Sequence, residues 1–272
     1  MDKVGMIFAG RFELGERLHC GRTGEVYRAR DLNLGGLACA VKIVPGSIFS
    51  SSGAAAVFPL EVQAARELSH PYILTPRVCG VEGDDFYFTT ELFDGIALEE
   101  RIKRGMLLAP EETVALLLGA CSALHYLHSR RRVHGRLAAA NLLIDPKLRL
   151  RLADPGIRYS ALPAPPGGEA AEDVRALARV AAAAAAAPPR WLGALLDRLA
   201  APPPGCPPDG GAALEAVYLA PPRFRRAAWL DSSPIGRGVR PLPQPFFAWD
   251  RMRALFGRRA AANTGAGGAD AA

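Results

Sequence analysis

The first part of the chain alternates apolar and polar side chains in short runs, which is the pattern of half-buried strands. Phe12 and Leu14 alternate with charged neighbours, and glycine-containing turns follow. We predict a strand that begins at residue 11 and four more at Glu25–Ala29, Ala38–Val44, Arg77–Glu82 and Asp85–Glu91. Apolar residues recur at helical spacing over Val57–Ser69, so one helix is predicted among these strands.

The second part of the chain has mainly helical periodicity. A helix is expected to begin at Pro110, because a proline followed by two glutamates suits the positive end of a helix dipole. Two short strands and three further helices are predicted at Leu142–Ile144, Leu148–Leu152, Ala171–Ala186, Arg190–Ala200 and Gly211–Leu219. A strand-rich half followed by a helical half predicts an α+β fold with two lobes.

Composition adds information on order, charge and location. Half of the residues are hydrophobic and 22% are charged, which argues against wholesale disorder. Residues 223–272 hold nine arginines and three aspartates, which equals the whole net charge of +6. This tail is rich in proline, glycine and arginine, so we expect it to be largely disordered. Scattered cysteines, with no secretory signal or membrane span, lead us to expect a cytoplasmic protein.

A glycine-containing turn lies between two of the predicted strands. Gly21 and Gly24 would let backbone N–H groups approach phosphates without a Cβ in the way, although a plain hairpin turn explains both equally well. Lys42 follows on an otherwise apolar strand, where its ammonium needs an anionic partner. Glu61, on the predicted helix that comes next, is the expected partner.

The order of these motifs resembles that of the eukaryotic-like serine/threonine protein kinases of bacteria. After the lysine and the glutamate comes Thr90-Glu91-Leu92-Phe93, which is similar to the family's hinge between lobes. Asn141–Ile144 and Leu152–Gly156 resemble its two metal-binding segments. The resemblance implies a bilobal protein-kinase-like fold, with a β-rich N-lobe and a truncated helical C-lobe. The implied divisions are a lead over 1–10, the N-lobe over 11–93, the C-lobe over 94–222 and the basic tail over 223–272.

The resemblance also implies a nucleotide site, with ATP as the ligand and Mg²⁺ as its metal. The nucleotide-binding residues that it implies are Gly21, Gly24, Val26, Ala40, Lys42, Glu61, Glu91, Phe93 and Leu143. Val26, Ala40 and Leu143 match the apolar residues that enclose the adenine base. Asn141 and Asp154 match the oxygen ligands of a Mg²⁺ ion bound to phosphates.

The catalytic loop, residues 134–141, departs from the family pattern. Arg136 stands where the family has its carboxylate base, and Ala138 stands where a lysine contacts the transferred phosphate. Arginine cannot accept a proton at neutral pH. We therefore predict that no catalytic set is intact and that the chain is an ATP-binding pseudokinase, acting as a regulatory or scaffold module. The alternatives are a weakly active serine/threonine protein kinase and a nucleotide-free binding scaffold.

The segment after the predicted metal ligand is eroded as well. Pro155 replaces the phenylalanine of the family's Asp-Phe-Gly, and His19 replaces the first loop glycine. Only a short stretch separates Asp154 from Asp173, which resembles the buried aspartate of the family's next helix. Ala65 is small where the family packs a larger side chain. We therefore expect the helix that carries the glutamate to be loosely held, and the lysine–glutamate pair not to persist without a ligand.

Some alternatives stay open at the level of the sequence. Lys42 and Glu61 could form only a structural ion pair, and His134 is interpreted as a packing histidine rather than an acid or base. Arg136 either lies in solvent or fills the site, where it would pair with Asp154 or Glu61 and block Mg²⁺. The alternative in which it pairs gives the nucleotide-free scaffold.

The basic tail suggests a contact with another molecule. Trp249, Met252 and Phe256 share one face of a predicted helix, with arginines elsewhere, so the tail could dock on an anionic membrane surface or in a partner groove. Packing of this helix on its own domain is the alternative. We expect an unidentified partner protein, of the kind found in signalling, and no specific nucleic acid, which charge alone would support.

Overall fold

The computed structural model of the protein describes residues 3–49, 52–157, 159, 170–202 and 209–219. They form a strand-rich N-lobe and a helical C-lobe, and the chain passes from one to the other after Glu91. The basic tail over 223–272 lies outside the described residues.

The N-lobe is built on one antiparallel sheet. Its strands are β1 (Ile7–Phe8), β2 (Phe12–Gly21), β3 (Gly24–Asp31), β4 (Leu37–Pro45), β5 (Cys79–Glu82) and β6 (Asp85–Glu91). They are arranged in the order β1-β2-β3-β4-β6-β5. Helix α1 (Ser52–Ala65) lies between β4 and β5 in the chain and buries Phe58 and Val62 in the main core. One face of the sheet covers a smaller core that contains Phe12 and Tyr27.

The C-lobe combines a small sheet with a group of helices. Its elements are β7 (Ile96–Ala97), α2 (Leu98–Lys103), α3 (Pro110–Ser129), β8 (Leu142–Ile144), β9 (Leu150–Leu152), α4 (Ala170–Ala184), α5 (Arg190–Ala200) and α6 (Gly210–Tyr218). The strands pair antiparallel in the order β7-β8-β9. Helix α3 is central, because α4 and α6 both pack against it.

The sequence of α3 explains both its start and its burial. Pro110 takes the first helical position, and the carboxylate of Glu112 accepts a hydrogen bond of 2.7 Å from the backbone N–H of Ala109. Leu117 and Leu124 are fully buried, as are most of the apolar residues around the helix. A helix that is apolar on most sides is expected to lie inside a bundle.

Most predicted elements are present, with differences at their ends. The predicted bounds hold for β6, β8 and α5. Helix α1 ends at Ala65. A tight turn follows, in which the N–H of Leu68 donates to the Ala65 carbonyl at 3.1 Å. The prediction of Val57–Ser69 therefore ended too late, and it also began too late. The sequence analysis missed β1, β7 and α2, which are too short to show a period.

Crossing a bilayer requires a long apolar helix. In the part of the chain that the structure describes, no helix has the required length and apolar character.

Candidate functional site

Strand β4 carries the predicted site lysine on the sheet face that is turned away from the small core. Val41 and Ile43 are buried in that core, so Ala40 and Lys42 point to the opposite face. Val26 of β3 is the direct cross-strand partner of Lys42 and shares this face. The structure thus brings Val26, Ala40 and Lys42 together, as the predicted nucleotide site requires.

The turn between β2 and β3 is the one predicted to hold phosphates. Gly24 has a φ of +122°, and a Cβ at this position would overlap the carbonyl of Ile43, so the turn requires glycine. At Gly21 a Cβ would lie only 2.7 Å from Nε2 of His19, whose ring covers the turn. Burial and the charge of Lys42 lower the pKa of His19 below its ordinary value, so the ring is neutral at pH 7.

Lys42 is held by Asp154 and Tyr159. Its ammonium forms an ion pair with the Asp154 carboxylate and donates a hydrogen bond of 2.8 Å to the Tyr159 hydroxyl. The Lys42 side chain is 11% exposed and that of Asp154 is 8% exposed, so solvent screens the pair weakly. Within the described ranges Lys42 pairs with Asp154 and no ion pair joins it to Glu61, which agrees with the expectation that the lysine–glutamate pair does not persist without a ligand.

The ring of Tyr159 accounts for the different partner. Its centroid lies 5.6 Å from that of Phe58 on α1 and 4.6 Å from Nζ of Lys42. The residue is 3% exposed, so the ring fills the space beside α1 at the point where the ammonium ends. The phenol, rather than the carboxylate of Glu61, therefore completes the contacts of the lysine.

The protonation states in this cluster follow from burial and charge. Burial alone would raise the pKa of Asp154, but the charge and hydrogen bond of Lys42 outweigh burial and hold this pKa below its ordinary value. Burial next to that carboxylate raises the pKa of Tyr159 well above its ordinary value. At neutral pH the cluster therefore contains an ammonium, a carboxylate and a neutral phenol.

Asp173 of α4 organises the start of the catalytic loop. Its carboxylate accepts hydrogen bonds from the backbone N–H groups of His134 at 2.7 Å and Gly135 at 2.9 Å. It also lies 2.9 Å from Nε2 of His128 at the end of α3. The residue is 3% exposed, which confirms the interpretation of Asp173 as a buried aspartate of the helix after the metal-binding segment.

His134 links the catalytic loop to the segment that carries Asp154. Its Nε2 lies 3.0 Å from the carbonyl of Ala153, and its Nδ1 lies 3.3 Å from the backbone N–H of Arg136. These contacts fit a neutral ring that donates from Nε2 and accepts at Nδ1. Burial lowers the pKa of His134, which agrees with a structural role rather than that of a base.

Arg136 occupies the predicted position of the catalytic base. Its guanidinium carbon lies 5.2 Å from the ring centroid of Tyr159, which is within the range of a cation–π contact. As far as the structure describes the chain, Arg136 forms no ion pair with Asp154 or Glu61. The interpretation in which such a pair blocks the metal site is therefore wrong. Ala138, at the position of the phosphate-binding lysine, is exposed and extended.

Asp145 is the nearest carboxylate that follows the loop in the chain. It is 2% exposed, and it accepts hydrogen bonds from the backbone N–H groups of Lys147 at 2.9 Å and Arg149 at 2.7 Å. The Nε of Arg149 lies 2.5 Å from its second oxygen. Asp145 is thus fixed in a turn by its own backbone and side-chain contacts.

Helix α1 is anchored to the C-lobe near its end. Nη1 of Arg132 donates to the carbonyl of Ala64 at 2.5 Å, and Ala65 is fully buried. The contact between Phe58 and Tyr159 is a second link between this helix and the C-lobe. The small side chain at Ala65 therefore does not leave the helix without support.

The predicted hinge residues lie at the end of β6 and immediately after it. The side chain of Glu91 contacts Arg151 and Arg77, and the ring of Phe93 lies 5.3 Å from the guanidinium carbon of Arg151. Leu143 of β8 is only partly buried and alternates with two buried neighbours, which leaves its side chain on the other face of that strand.

The residues predicted to hold Mg²⁺ are close in the fold. The N–H of Ala153 donates to the backbone carbonyl of Asn141 at 2.8 Å, which places Asn141 beside Asp154. Nδ2 of Asn141 donates to the Arg136 carbonyl at 2.9 Å, so Oδ1 is the remaining ligand atom of the amide. An ionised carboxylate and an amide oxygen fit a Mg²⁺ ion that also binds phosphates. Among the described residues, no group of three His, Cys, Asp or Glu side chains is placed to hold a metal on its own.

Tyr159 is the site residue that the sequence analysis missed. It lies in the segment where the family pattern is lost, so no motif marked it. The available signal was a single aromatic residue with a polar end, which follows Asp154-Pro155-Gly156 closely. A side chain of that kind fits a place that is apolar around the ring and charged at the hydroxyl.

Comparison with known proteins gives consistent matches. A sequence model of the protein kinase domain matches residues 12–162. The probable serine/threonine-protein kinase PknB of Lactococcus lactis is 29% identical over 157 residues, which cover 58% of this chain and 25% of that protein. A probable serine/threonine-protein kinase of Streptomyces coelicolor is 34% identical over 152 residues, which cover 54% of this chain and 22% of that protein.

A solved structure gives the same result for the fold. The PknI kinase domain of Mycobacterium tuberculosis superposes with a TM-score of 0.63 at 25% identity, covering 80% of this chain and 99% of that one. The chain spans about a quarter of the length of the curated relatives it matches.

Proposed function

The chain belongs to the protein kinase family and has its bilobal fold, and from its site we propose that it is an ATP-binding pseudokinase. In this proposal the domain holds nucleotide between its lobes, transfers phosphoryl groups poorly and acts as a regulatory or scaffold module. The observation that carries the proposal is Arg136, a permanent cation at the position of the catalytic base.

The nucleotide-binding half of the proposal is supported by the groups around Lys42. The ammonium and the turn at Gly21 and Gly24 lie at one end of the sheet face that includes Val26 and Ala40. A buried cation beside a glycine turn suits a phosphate chain, and the small apolar side chains suit an adenine ring.

The metal-binding residues of the proposal are Asp154 and Asn141. A Mg²⁺ ion held there would neutralise charge on the nucleotide phosphates. Asp154 supplies an ionised carboxylate, whose charge the adjacent Lys42 balances. Asn141 is oriented by its hydrogen bond to the Arg136 carbonyl.

The catalytic loop supports the second part of the proposal, which is that phosphoryl transfer is impaired. A guanidinium cannot take or orient the proton of an attacking hydroxyl, and loss of a general base costs about 10²–10⁴ in rate. Asp145, the next carboxylate along the chain, is bound to two backbone N–H groups and Arg149. The loop also lacks the phosphate-binding lysine, because Ala138 stands there.

The second candidate is an active serine/threonine protein kinase. It is favoured by the intact frame of the site, in which Asp173 orders the loop and Lys42 pairs with Asp154. The relatives are probable serine/threonine-protein kinases, which agrees with either candidate. Phosphoryl transfer would then proceed by positioning and charge alone, without a proton acceptor on the loop.

A thermal-shift titration with Mg·ATP tests nucleotide binding. Binding to the folded chain at about 100 times the dissociation constant stabilises it by roughly 2.7 kcal/mol. We expect a clear rise in melting temperature for the wild type and a much smaller rise for Lys42→Met. The surface variant Lys147→Met is the matched control, because this lysine is exposed in the turn between β8 and β9, away from Lys42 and the glycine turn. No shift in the wild type at millimolar nucleotide would support the nucleotide-free scaffold instead.

We extend the proposal to location and partners. A regulatory module needs a partner protein, and the basic tail over 223–272 is a candidate contact with a partner or an anionic membrane surface. A cytoplasmic location agrees with the scattered cysteines. If the tail contacts a membrane, deletion of residues 223–272 should lower the fraction of the protein that sediments with anionic vesicles.

A further inference from the structure

An open groove of about 500 Å³ lies where the two lobes meet, beside the hinge. The segment after α1 and the approach to β5 supply part of its lining, and the ends of β6 and β9 supply the rest. The lining residues that matter for its chemistry are Arg66, His70, Arg77, Glu91 and Arg151. It shares Glu91 with the predicted nucleotide-binding residues, but neither Lys42 nor Asp154 lines it.

The groove is electropositive. Of the described residues that line it, three are arginines and one, Glu91, is acidic. Burial, together with the charge of the nearby Arg130, lowers the pKa of His70 to about 4, so this histidine adds no charge at pH 7. The Arg77 side chain is 56% exposed, which leaves it accessible to a ligand.

The contacts of Glu91 show which ligand chemistry this groove accepts. Its Oε1 lies 3.1 Å from Nε of Arg151, and its Oε2 lies 3.6 Å from Nη2 of Arg77. A carboxylate from the chain itself therefore already bridges two of the arginines. Each guanidinium has five N–H donors, so one carboxylate does not saturate the pair.

We propose that this groove docks an acidic segment of a partner protein, whose carboxylates pair with Arg66 and Arg77 and compete with Glu91. Charge complementarity between the arginines and a run of glutamates or aspartates supplies the specificity and speeds association. The basic tail of this chain has the wrong sign, with nine arginines against three aspartates over 223–272. The proposal does not rest on nucleotide binding.

A peptide suits the groove better than a nucleic acid. Single-stranded nucleic acids bind proteins largely by stacking bases on aromatic rings. The ring of Tyr126, whose hydroxyl accepts a hydrogen bond from the Ser69 N–H at the groove, is covered by Arg130 at 3.8 Å. That ring is therefore not available as a stacking platform.

Fluorescence anisotropy measures the binding of a labelled oligo-glutamate peptide to the full chain. A labelled oligo-glutamine peptide of equal length is the uncharged comparison. We expect only the glutamate peptide to bind, more weakly as salt rises. Arg66→Glu with Arg77→Glu should weaken binding at least about tenfold. Arg104→Glu is the matched control, since Arg104 is an arginine of similar exposure paired with a glutamate on α2.

A second variant keeps the arginines and tests the competition directly. Glu91→Gln removes the internal carboxylate, so the glutamate peptide should bind several-fold more tightly. This readout stands even if the double charge reversal fails to fold, which circular dichroism detects. Unchanged affinity in Glu91→Gln, or equal losses in the charge reversal and in Arg104→Glu, overturns the proposal. Tighter binding of an oligonucleotide through the same arginines, or occupation by a second copy seen in sedimentation, overturns it as well.

Discussion

At the scale of single residues, the contacts of Lys42 determine what the site can do. Its ammonium has three donors, of which Asp154 takes one as an ion pair and the Tyr159 hydroxyl takes another. Nucleotide phosphates carry more negative charge than a phenol, so they would displace Tyr159 before Asp154. The Tyr159 hydroxyl is therefore the contact of Lys42 that a bound nucleotide would replace, while the ion pair with Asp154 would remain.

Tyr159→Phe keeps the ring and removes only the hydroxyl. We expect ATP to bind about threefold to tenfold more tightly, because the phosphates no longer compete with a hydrogen bond worth about 1 kcal/mol. Titration calorimetry measures the affinity. Tyr27→Phe is the matched control, because Tyr27 is a buried tyrosine whose hydroxyl donates to Glu25 at 3.0 Å outside the site. Equal ATP affinity in Tyr159→Phe and the wild type contradicts the prediction.

Arg136→Asp restores a carboxylate at the position of the base. Alone it should raise phosphoryl transfer modestly. Combined with Ala138→Lys it should give a rate at least about tenfold above that of the single variant, because base and phosphate contact act together. Transfer of label from γ-labelled ATP to a generic substrate protein is the measurement, with Asp154→Ala added as the inactive control. A wild-type rate equal to that of the double variant is the contradictory outcome.

The sequence predicted which residues belong to the site better than it predicted which of them contact one another. Lys42, Asn141 and Asp154 occupy motif positions, and the structure places Asn141 beside Asp154 and pairs Asp154 with Lys42. Tyr159 has no motif, and its position depends on Phe58 and on Lys42, both far away in the chain. A contact between distant segments is set by packing, which no local pattern of the sequence records.

At the scale of elements, one buried carboxylate joins two helices to the catalytic loop. Asp173 belongs to α4, contacts His128 of α3 and accepts two backbone N–H groups of the loop. Burial would raise the pKa of Asp173, but the hydrogen bonds from His128 and from the backbone N–H groups of Gly135 and His134 hold it below its ordinary value. The loop therefore keeps its geometry with Arg136 at the predicted position of its base.

Asp173→Ala should be strongly destabilising. It leaves two buried N–H groups and His128 without their acceptor, at a cost of about 2–4 kcal/mol in the free energy of unfolding. Urea unfolding measures this loss. The matched control is Asp209→Ala, which removes the N-cap of α6 and should cost only about 1 kcal/mol. Equal losses in the two variants would show that Asp173 is not the organising residue.

Helices and strands were predicted where they are long enough for the pattern of apolar and polar residues to repeat. Helix α3 was predicted from its first residue because proline and glutamate mark that start and apolar positions recur after it. Helix α2 (Leu98–Lys103) and strand β7 (Ile96–Ala97) were missed, since neither is long enough to show a period. The start of α1 was misplaced because its alanine-rich first turns have no distinct apolar face.

At the scale of the whole molecule, the junction between α1 and α3 makes stability depend on pH. His70 lies in the segment that connects these helices in the chain. Its Nε2 is 3.3 Å from Ser122 Oγ on α3, and its Nδ1 accepts from the Tyr72 N–H at 3.3 Å. Burial lowers its pKa from 6.5 to about 4. Between these values the unfolded chain binds a proton that the folded chain does not, so stability is full above pH 6.5 and falls as the pH drops toward 4.

His70→Asn should reduce this acid sensitivity. The wild type is expected to lose on the order of 2 kcal/mol from this group between pH 7 and pH 4.5, and the variant should lose correspondingly less. Urea unfolding at the two pH values measures the difference. Ser69→Ala, at an exposed neighbouring residue that does not titrate, is the control and should keep the wild-type dependence. The same pH dependence in all three proteins contradicts the prediction.

The central claim is that this kinase domain holds ATP without passing on its γ-phosphoryl group. Incubation of the full chain with γ-labelled Mg·ATP, followed by recovery of both the bound nucleotide and the protein, tests it most directly. The wild type is predicted to retain the label as intact bound ATP, and Lys42→Met is predicted to retain none. No label is expected on the polypeptide or on an added substrate protein. Covalent label on either protein that disappears in Asp154→Ala would contradict the account.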